Sequence, residues 1–153
     1  MSRAYVALGA NLGDREATIR AALAELDAAD GVEVVAVSSL TDTAPVGDVE
    51  QPRFLNGAAA LETTLAPREL LDLLLALERR FGRVRQDVPA QGPRTLDLDL
   101  VLFDDAQIEE PGLAIPHPRL HERRFVLEPL AELDPSLEVP GKAKIQTLLA
   151  ELH

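Results

Sequence analysis

Asp97 and Asp99 stand one residue apart in GPRTLDLDL, residues 92–100, the most strand-like run of the chain. Successive side chains of a strand point to opposite faces, so Leu96, Leu98 and Leu100 can enter a core while Thr95, Asp97 and Asp99 share the other face. Two like charges about 7 Å apart on one face need a reason. Solvent is one, because an antiparallel sheet often has a wet face and alternation is its ordinary signature. A divalent cation is another. Mg²⁺ takes oxygen ligands octahedrally and is usually held by one or two carboxylates with substrate phosphates, not by a closed protein cage. With two such ions, one aspartate pair can clamp the attacking and leaving oxygens of an in-line phosphoryl displacement. Sugar-nucleotide transferases and nucleotidyltransferases also use spaced aspartates, so the pair by itself does not choose among these chemistries.

The charge around the pair points to a small polyanion. A net charge of −11 over 153 residues argues against a general nucleic-acid binder, whose phosphate affinity comes from accumulated lysine and arginine. Yet Arg79, Arg80, Arg83, Arg85 and Arg94 meet a single acid, Asp87, between residues 79 and 94, and Arg119, Arg123 and Arg124 form a second group. Guanidinium forks suit phosphate oxygens, although a solvated helix end and loop would carry the same residues. No GxxxxGK[ST] loop and no protein-kinase signature is present, so a phosphate would rest on arginines and metal. His117, between two prolines in IPHP, could donate to a phosphate; the histidines at 117, 121 and 153 are not in zinc-type spacing with other ligands. Asn56 is a polar amide among Phe54, Leu55 and a run of alanines, and a planar amide can read the edge of a heterocycle. Phe54 and Phe125 could stack on such a ring, although phenylalanines are core residues by default.

The elements that must position these groups follow from periodicity. Tyr5 to Leu8 reads as a first strand entering the GANLG turn, and Asp14 as the N-cap of a helix whose buried stripe is Ile19, Ala22, Leu23 and Leu26. A second strand is expected from about Val32 to Leu40, DTAPVGDVEQP as a long loop, and FLNGAAALET as a third strand. Pro67 opens a second helix, with Leu70, Leu71, Leu74, Leu77 and Phe81 running to a stop at Gly82. GRVRQDVPAQGPR is expected to be a flexible loop and TLDLDLVLF the fourth strand. Strand, helix, strand, strand, helix, strand is the ferredoxin-like α+β pattern, a four-stranded antiparallel sheet with both helices on one face and the other face free for a site. The tail adds the IPHP loop, a short helix near Phe125 to Leu133 and a last helix near Lys144 to Leu152.

At this length the chain is expected to be one domain, residues 1–153, with a core that needs no staple. The absence of cysteine excludes a disulfide framework and thiolate metal sites. With no basic apolar leader and no apolar run of about 18 residues, the expected location is the cytoplasm, with no membrane and no nucleic-acid partner.

Taken in order, GANLGD, TAPVG, QPRFLNGA, LERRFGRVR, GPRTLDLDLVLF and IPHPRLHERRFVLEPLAEL resemble the 6-hydroxymethyl-7,8-dihydropterin pyrophosphokinase family of folate biosynthesis over nearly the whole chain. The resemblance implies the same ferredoxin-like fold and transfer of the pyrophosphoryl unit of ATP to the pterin hydroxymethyl oxygen, with release of AMP. It implies that Asp97 and Asp99 hold two Mg²⁺ ions, that Arg83, Arg85, Arg94, His117 and Arg123 bind ATP, with Arg83 and Arg94 also counted as catalytic, and that Thr43, Val46, Phe54, Asn56 and Phe125 form the pterin pocket. Glu78 matches a family acid with a supporting role. Small-molecule substrates, ATP and the pterin, and a monomer are the implied partners and state. The chain departs from the family at Gln91, where some members carry an aromatic residue, at Gly112, where some use an arginine on ATP, and at Ala44, where proline is common.

Overall fold

Strand β1 (Ser2–Ala10) is buried without interruption from Ala4 onward, which makes it the axis of the sheet. The computed structural model describes residues 1–11, 14–43, 54–81 and 96–152. On one side β1 pairs antiparallel with β4 (Phe54–Thr63), and on the other with β5 (Asp97–Phe103). Strand β2 (Val32–Val37) and the short β3 (Thr41–Thr43) both pair antiparallel with β4, giving the order β2-β4-β1-β5 with β3 continuing the β2 edge. Helices α1 (Arg15–Ala28) and α2 (Pro67–Phe81) complete the expected ferredoxin-like α+β arrangement. Among the described residues no helix is long and apolar enough to cross a membrane.

The helices begin where local chemistry lets them. The Asp14 carboxylate accepts the Ala17 N–H at 3.1 Å, and Thr18 N–H reaches the Asp14 carbonyl at 3.0 Å. At α2 Pro67 fills a first-turn position that needs no N–H, and the Glu69 carboxylate reaches back to the Ala66 N–H at 2.8 Å, half of a capping box. Ile19, Ala22, Leu23 and Leu26 of α1 and Leu70, Leu74 and Leu77 of α2 then meet Val6, Leu8, Leu61, Leu98 and Leu100 in one apolar layer.

The second face of the sheet is not left free. Helices α3 (Arg124–Leu133) and α4 (Ile145–Ala150) pack over Tyr5, Ala58, Ala60, Val101 and Leu102 in a second apolar layer, so the open part of that face is confined to one end. The tail helices were expected but the face they cover was not: tertiary docking, which no local period announces, accounts for the difference from expectation. The second strand also stops three residues early. Ser38 donates its N–H to the Ala58 carbonyl at 2.9 Å, but its hydroxyl accepts the Ala58 N–H, also at 2.9 Å, in place of a strand carbonyl. The chain therefore swerves through 38–40 before β3 forms, and Asp42 and Thr43, expected in a loop, lie in that strand. The rest of that segment and GRVRQDVPAQGPR as a loop lie outside the described residues. A hairpin of β6 (Ile108–Glu110) and β7 (Leu113–Ile115), turning at Gly112 with φ +78°, and a single 3-10 turn at Leu120–Glu122 were not anticipated.

Replacing Asp14 with Ala should cost about 1 kcal/mol of stability, the typical value of an N-cap. Urea denaturation monitored by circular dichroism measures it; an unchanged midpoint would mean that another group caps α1.

Candidate active site

Register puts the two aspartates over a floor of small residues. Asp97 lies opposite Gly9 and Asp99 opposite Ala7 across β1·β5, and the next strand sets Asn56 opposite Gly9 and Ala58 opposite Ala7. A Cβ on Gly9 would sit 3.0 Å from the Asn56 side-chain oxygen, so a larger residue there would press the amide out of place. Leu96, Leu98 and Leu100 are buried in the helix-covered layer, as alternation requires. Between the aspartates, the Leu98 N–H points outward from the free edge of β5 and is captured at 2.7 Å by Glu78 of α2, whose residue is 4% exposed. A buried carboxylate thus anchors the strand midway between Asp97 and Asp99.

Two cavities open beside this strand. One, ≈ 330 Å³, is lined by Phe54 and Phe125, by Asn56, by Asp97 and Asp99, and by Arg119 and Arg123. Its wall combines aromatic rings and a buried amide with carboxylates and guanidinium groups. Arg123 also lies 5.8 Å from the centroid of the Phe125 ring, so this guanidinium and ring present themselves together. The second cavity, ≈ 390 Å³, lies at the β5 edge between Leu71, Leu75 and Glu78 of α2 and the β6–β7 hairpin, with His117 and Asp99 in its wall. Asp99 is common to both cavities.

His117 is held in a defined state. Its backbone N–H docks on the Val101 carbonyl at 3.0 Å, and its Nδ1 accepts the Arg119 N–H at 3.2 Å. Burial lowers its pKa from the ordinary histidine value; Asp99 opposes that shift, and Arg123 and Arg119 add to it. The neutral ring, with Nδ1 accepting, carries its proton on Nε2, a donor without positive charge.

The structure brings Asp97, Asp99, Phe54, Asn56, Phe125 and Arg123 around one cavity and places His117 and Glu78 on the other. Arg83, Arg85, Arg94 and Val46, and the side chain of Thr43, lie outside the described residues. Arg80 is turned away from the site, pairing with Glu25 of α1 at 3.0 Å. Arg119 and Gly9 line the first cavity but were not singled out in the sequence: Arg119 was only one of three clustered arginines, and the need for glycine at position 9 is visible only across two strand pairs. Asn11, in the quoted GANLGD, is 2% exposed and its amide forms no hydrogen bond among the described residues.

The comparisons with known proteins converge. The profile of the family described as 7,8-dihydro-6-hydroxymethylpterin-pyrophosphokinase (HPPK) matches residues 5–135. The chain is 47% identical over 150 residues to the 2-amino-4-hydroxy-6-hydroxymethyldihydropteridine pyrophosphokinase of Pseudomonas aeruginosa, covering 98% of this chain and 91% of that protein. It is 48% identical over 135 residues to the protein of the same name from Bacillus subtilis, covering 88% and 80%. The crystal structure of wild-type Plasmodium falciparum HPPK-DHPS superposes with a TM-score of 0.73 at 14% identity, covering 98% of this chain; the chain spans 41% of that longer protein, and at that identity the likeness speaks for the fold.

Because the folded state disfavours the His117 proton, the unfolded chain binds more protons between the lowered pKa and about 6.5, and stability rises with pH through that window. Thermal melts should therefore lose stability as pH falls below about 6.5, and His117→Gln should flatten that part of the profile. Equal slopes in both proteins would assign the titration to another group.

Proposed function

We propose that this chain, which belongs to the 7,8-dihydro-6-hydroxymethylpterin-pyrophosphokinase family, transfers the pyrophosphoryl group of ATP to the hydroxymethyl oxygen of 6-hydroxymethyl-7,8-dihydropterin, a step of tetrahydrofolate synthesis. The observation that carries the reading at this site is Asp99, shared by the two cavities, so that one member of the carboxylate pair borders both reactants. In the first cavity Phe54 and Phe125 sandwich the pterin and Asn56 pairs with its polar edge, which leaves the hydroxymethyl group toward Asp97 and Asp99. In the second, Leu71 and Leu75 offer apolar contact to the adenine side, and the His117 Nε2–H donates to a phosphate oxygen.

The hydroxymethyl oxygen attacks the β-phosphorus in line, the bond from that phosphorus to the α–β bridging oxygen breaks, AMP leaves, and the hydroxyl proton is lost. Arg119 and Arg123, which line the first cavity and act electrostatically on His117, together with Arg83, Arg85 and Arg94 assigned by motif, stabilise the charge that moves to the leaving group. Thr43 and Val46 complete the pterin pocket by the same motif correspondence. The donor set suits Mg²⁺: Asp97 and Asp99 share one strand face, and among the described residues no group of three acids or histidines closes a cage, which leaves positions for phosphate oxygens. Two Mg²⁺ ions held there would neutralise triphosphate charge and draw both reactants together.

The remaining assignments belong to the same reading. The chain acts as one domain and as a cytoplasmic monomer. Its exposed sheet edge supports the monomer, because the Val34 N–H of β2 is taken by the Asp27 carboxylate at 2.8 Å and a register shift between Val34 and Ala36 interrupts the edge.

Incubation with MgATP and the hydroxymethyldihydropterin should release AMP; pyrophosphate release would instead indicate nucleotidyl transfer, and binding without turnover a non-catalytic domain. Asp97→Ala or Asp99→Ala should lower turnover by orders of magnitude with the circular dichroism unchanged, and near-wild-type kinetics would sink the metal-site assignment. Asn56→Ala should weaken the pterin by about tenfold to a hundredfold, roughly 1–3 kcal/mol for deleting a hydrogen-bonded amide from a buried pocket, while sparing ATP. Calorimetric titration separates the two ligands, and normal pterin affinity in Asn56→Ala would move the acceptor pocket elsewhere.

A further inference from the structure

We infer that Glu132 is a positioning residue for the acceptor, tying the helix that carries Phe125 to the chain crossover that carries Thr41 and so setting the separation of the acceptor pocket's walls. The inference rests on the reading that Asn56 and Phe125 hold the pterin. One carboxylate oxygen of Glu132 accepts the Ser39 N–H at 2.7 Å and the Ser39 hydroxyl at 3.1 Å. Phe125 and Glu132 are seven residues apart on α3, two helical turns, and so lie on one face of the helix. Both line a third cavity, ≈ 420 Å³, with Ser39, Thr41 and Asn56. Asn56 and Phe125 thus stand between this cavity and the 330 Å³ one.

The crossover that Glu132 grips is built to a tight tolerance. Thr41 pairs with Asn56 across β3·β4, so any shift of the 38–41 segment is delivered to the strand bearing the amide. Gly57, beside Asn56, permits the approach: a Cβ there would come within 2.7 Å of Leu40 Cδ2, 3.1 Å of Ser38 Oγ and 3.2 Å of the Ser39 carbonyl oxygen. Ser38 holds the near side by accepting the Ala58 N–H and donating to the Ser39 carbonyl, both at 2.9 Å. On its outer side the crossover is fastened through Ser39, and the acceptor of both bonds belongs to α3. What ties this staple to the acceptor is its place: the two elements it joins carry Phe125 and the strand partner of Asn56, so its length sets the distance between the aromatic and amide walls.

The test is a split in kinetic constants. Glu132→Ala should raise KM for the hydroxymethyldihydropterin about tenfold and leave KM for MgATP within about twofold, the change expected when charge-assisted bonds that order a pocket are removed. Glu132→Gln, whose amide oxygen still accepts from Ser39, should recover most of the pterin affinity. If Glu132→Ala does not fold, Ser39→Ala, which deletes one of the two donors, should show the same split at smaller size. Equal changes in both KM values, or lowered thermal stability with the pterin KM unchanged, would reduce Glu132 to a structural staple and overturn the inference. A wild-type protein that released no AMP would overturn the functional reading itself, a separate result.

Discussion

The side-chain alternation of β5 is the constraint on which the site depends. Leu96, Leu98 and Leu100 are locked into the layer beneath α1 and α2, so Asp97 and Asp99 have only the opposite face. Slipping the strand by one residue would exchange the two sets. Exposing three leucines costs roughly 5–9 kcal/mol at 1.5–3 kcal/mol each, of the order of a whole domain's stability. Two carboxylates about 7 Å apart repel by about 0.6 kcal/mol in water and by roughly 2 kcal/mol at an effective dielectric constant of 20. Burial therefore decides the register, and the repulsion between the carboxylates is the smaller term. Glu78 reinforces the same register from the helix side by taking the Leu98 N–H. Farther along, the irregularity between Tyr5 and Val6 lets Val101 and Leu102 both enter the layer under α3, so the strand that offers carboxylates at one end is sealed at the other.

Space over the aspartates comes from what their neighbours lack. Ala7 and Gly9 carry little or no side chain, and the cavity stands on that floor. The recognition groups approach from the rim: Phe54 and Asn56 from β4, Phe125 from the start of α3, Arg119 and Arg123 from the turn before it. Aromatic rings and an amide can select a flat polar heterocycle, while guanidinium groups and a neutral imidazole N–H have the chemistry to meet phosphate. One end of the sheet can therefore handle two chemically different ligands, because the strands supply a common floor and separate connections supply the specificity.

How much of this could be read beforehand depended on whether the deciding interaction was local. FLNGAAALET is a strand with the expected bounds, Phe54–Thr63, and the Asp14 cap and the α2 stripe are local features that survive packing. The leucine and aspartate parity of β5 was legible for the same reason. The end of β2 was not, since VSSL continues a β-rich composition and only contact with Ala58 makes Ser38 substitute its hydroxyl for a carbonyl. The tail's cover over the second face and the paired three-residue strands of the hairpin are tertiary as well. Arginine counting was the weakest guide: Arg80 pairs with Glu25 and Arg124 donates to the Leu152 carbonyl at 3.2 Å, whereas Arg119, paired with Glu122 at 3.3 Å, lines the cavity together with that acid.

A chain of net charge −11 that handles a triphosphate must hold its anion by short-range means. At physiological ionic strength charges beyond about 8 Å are largely screened, so acids dispersed over the surface repel ATP weakly, while groups in a half-enclosed cavity act at nearly full strength. Acids line the second cavity, Glu78, Asp99 and Glu110, the last paired with Arg68 at 3.1 Å, and burial favours the neutral form of His117. A triphosphate entering there is favoured when cations come with it or from the adjoining arginines. Such a wall disfavours a bare triphosphate, whose repulsion by the acids any accompanying cation would lessen. In that environment a neutral imidazole offers an N–H donor without adding charge.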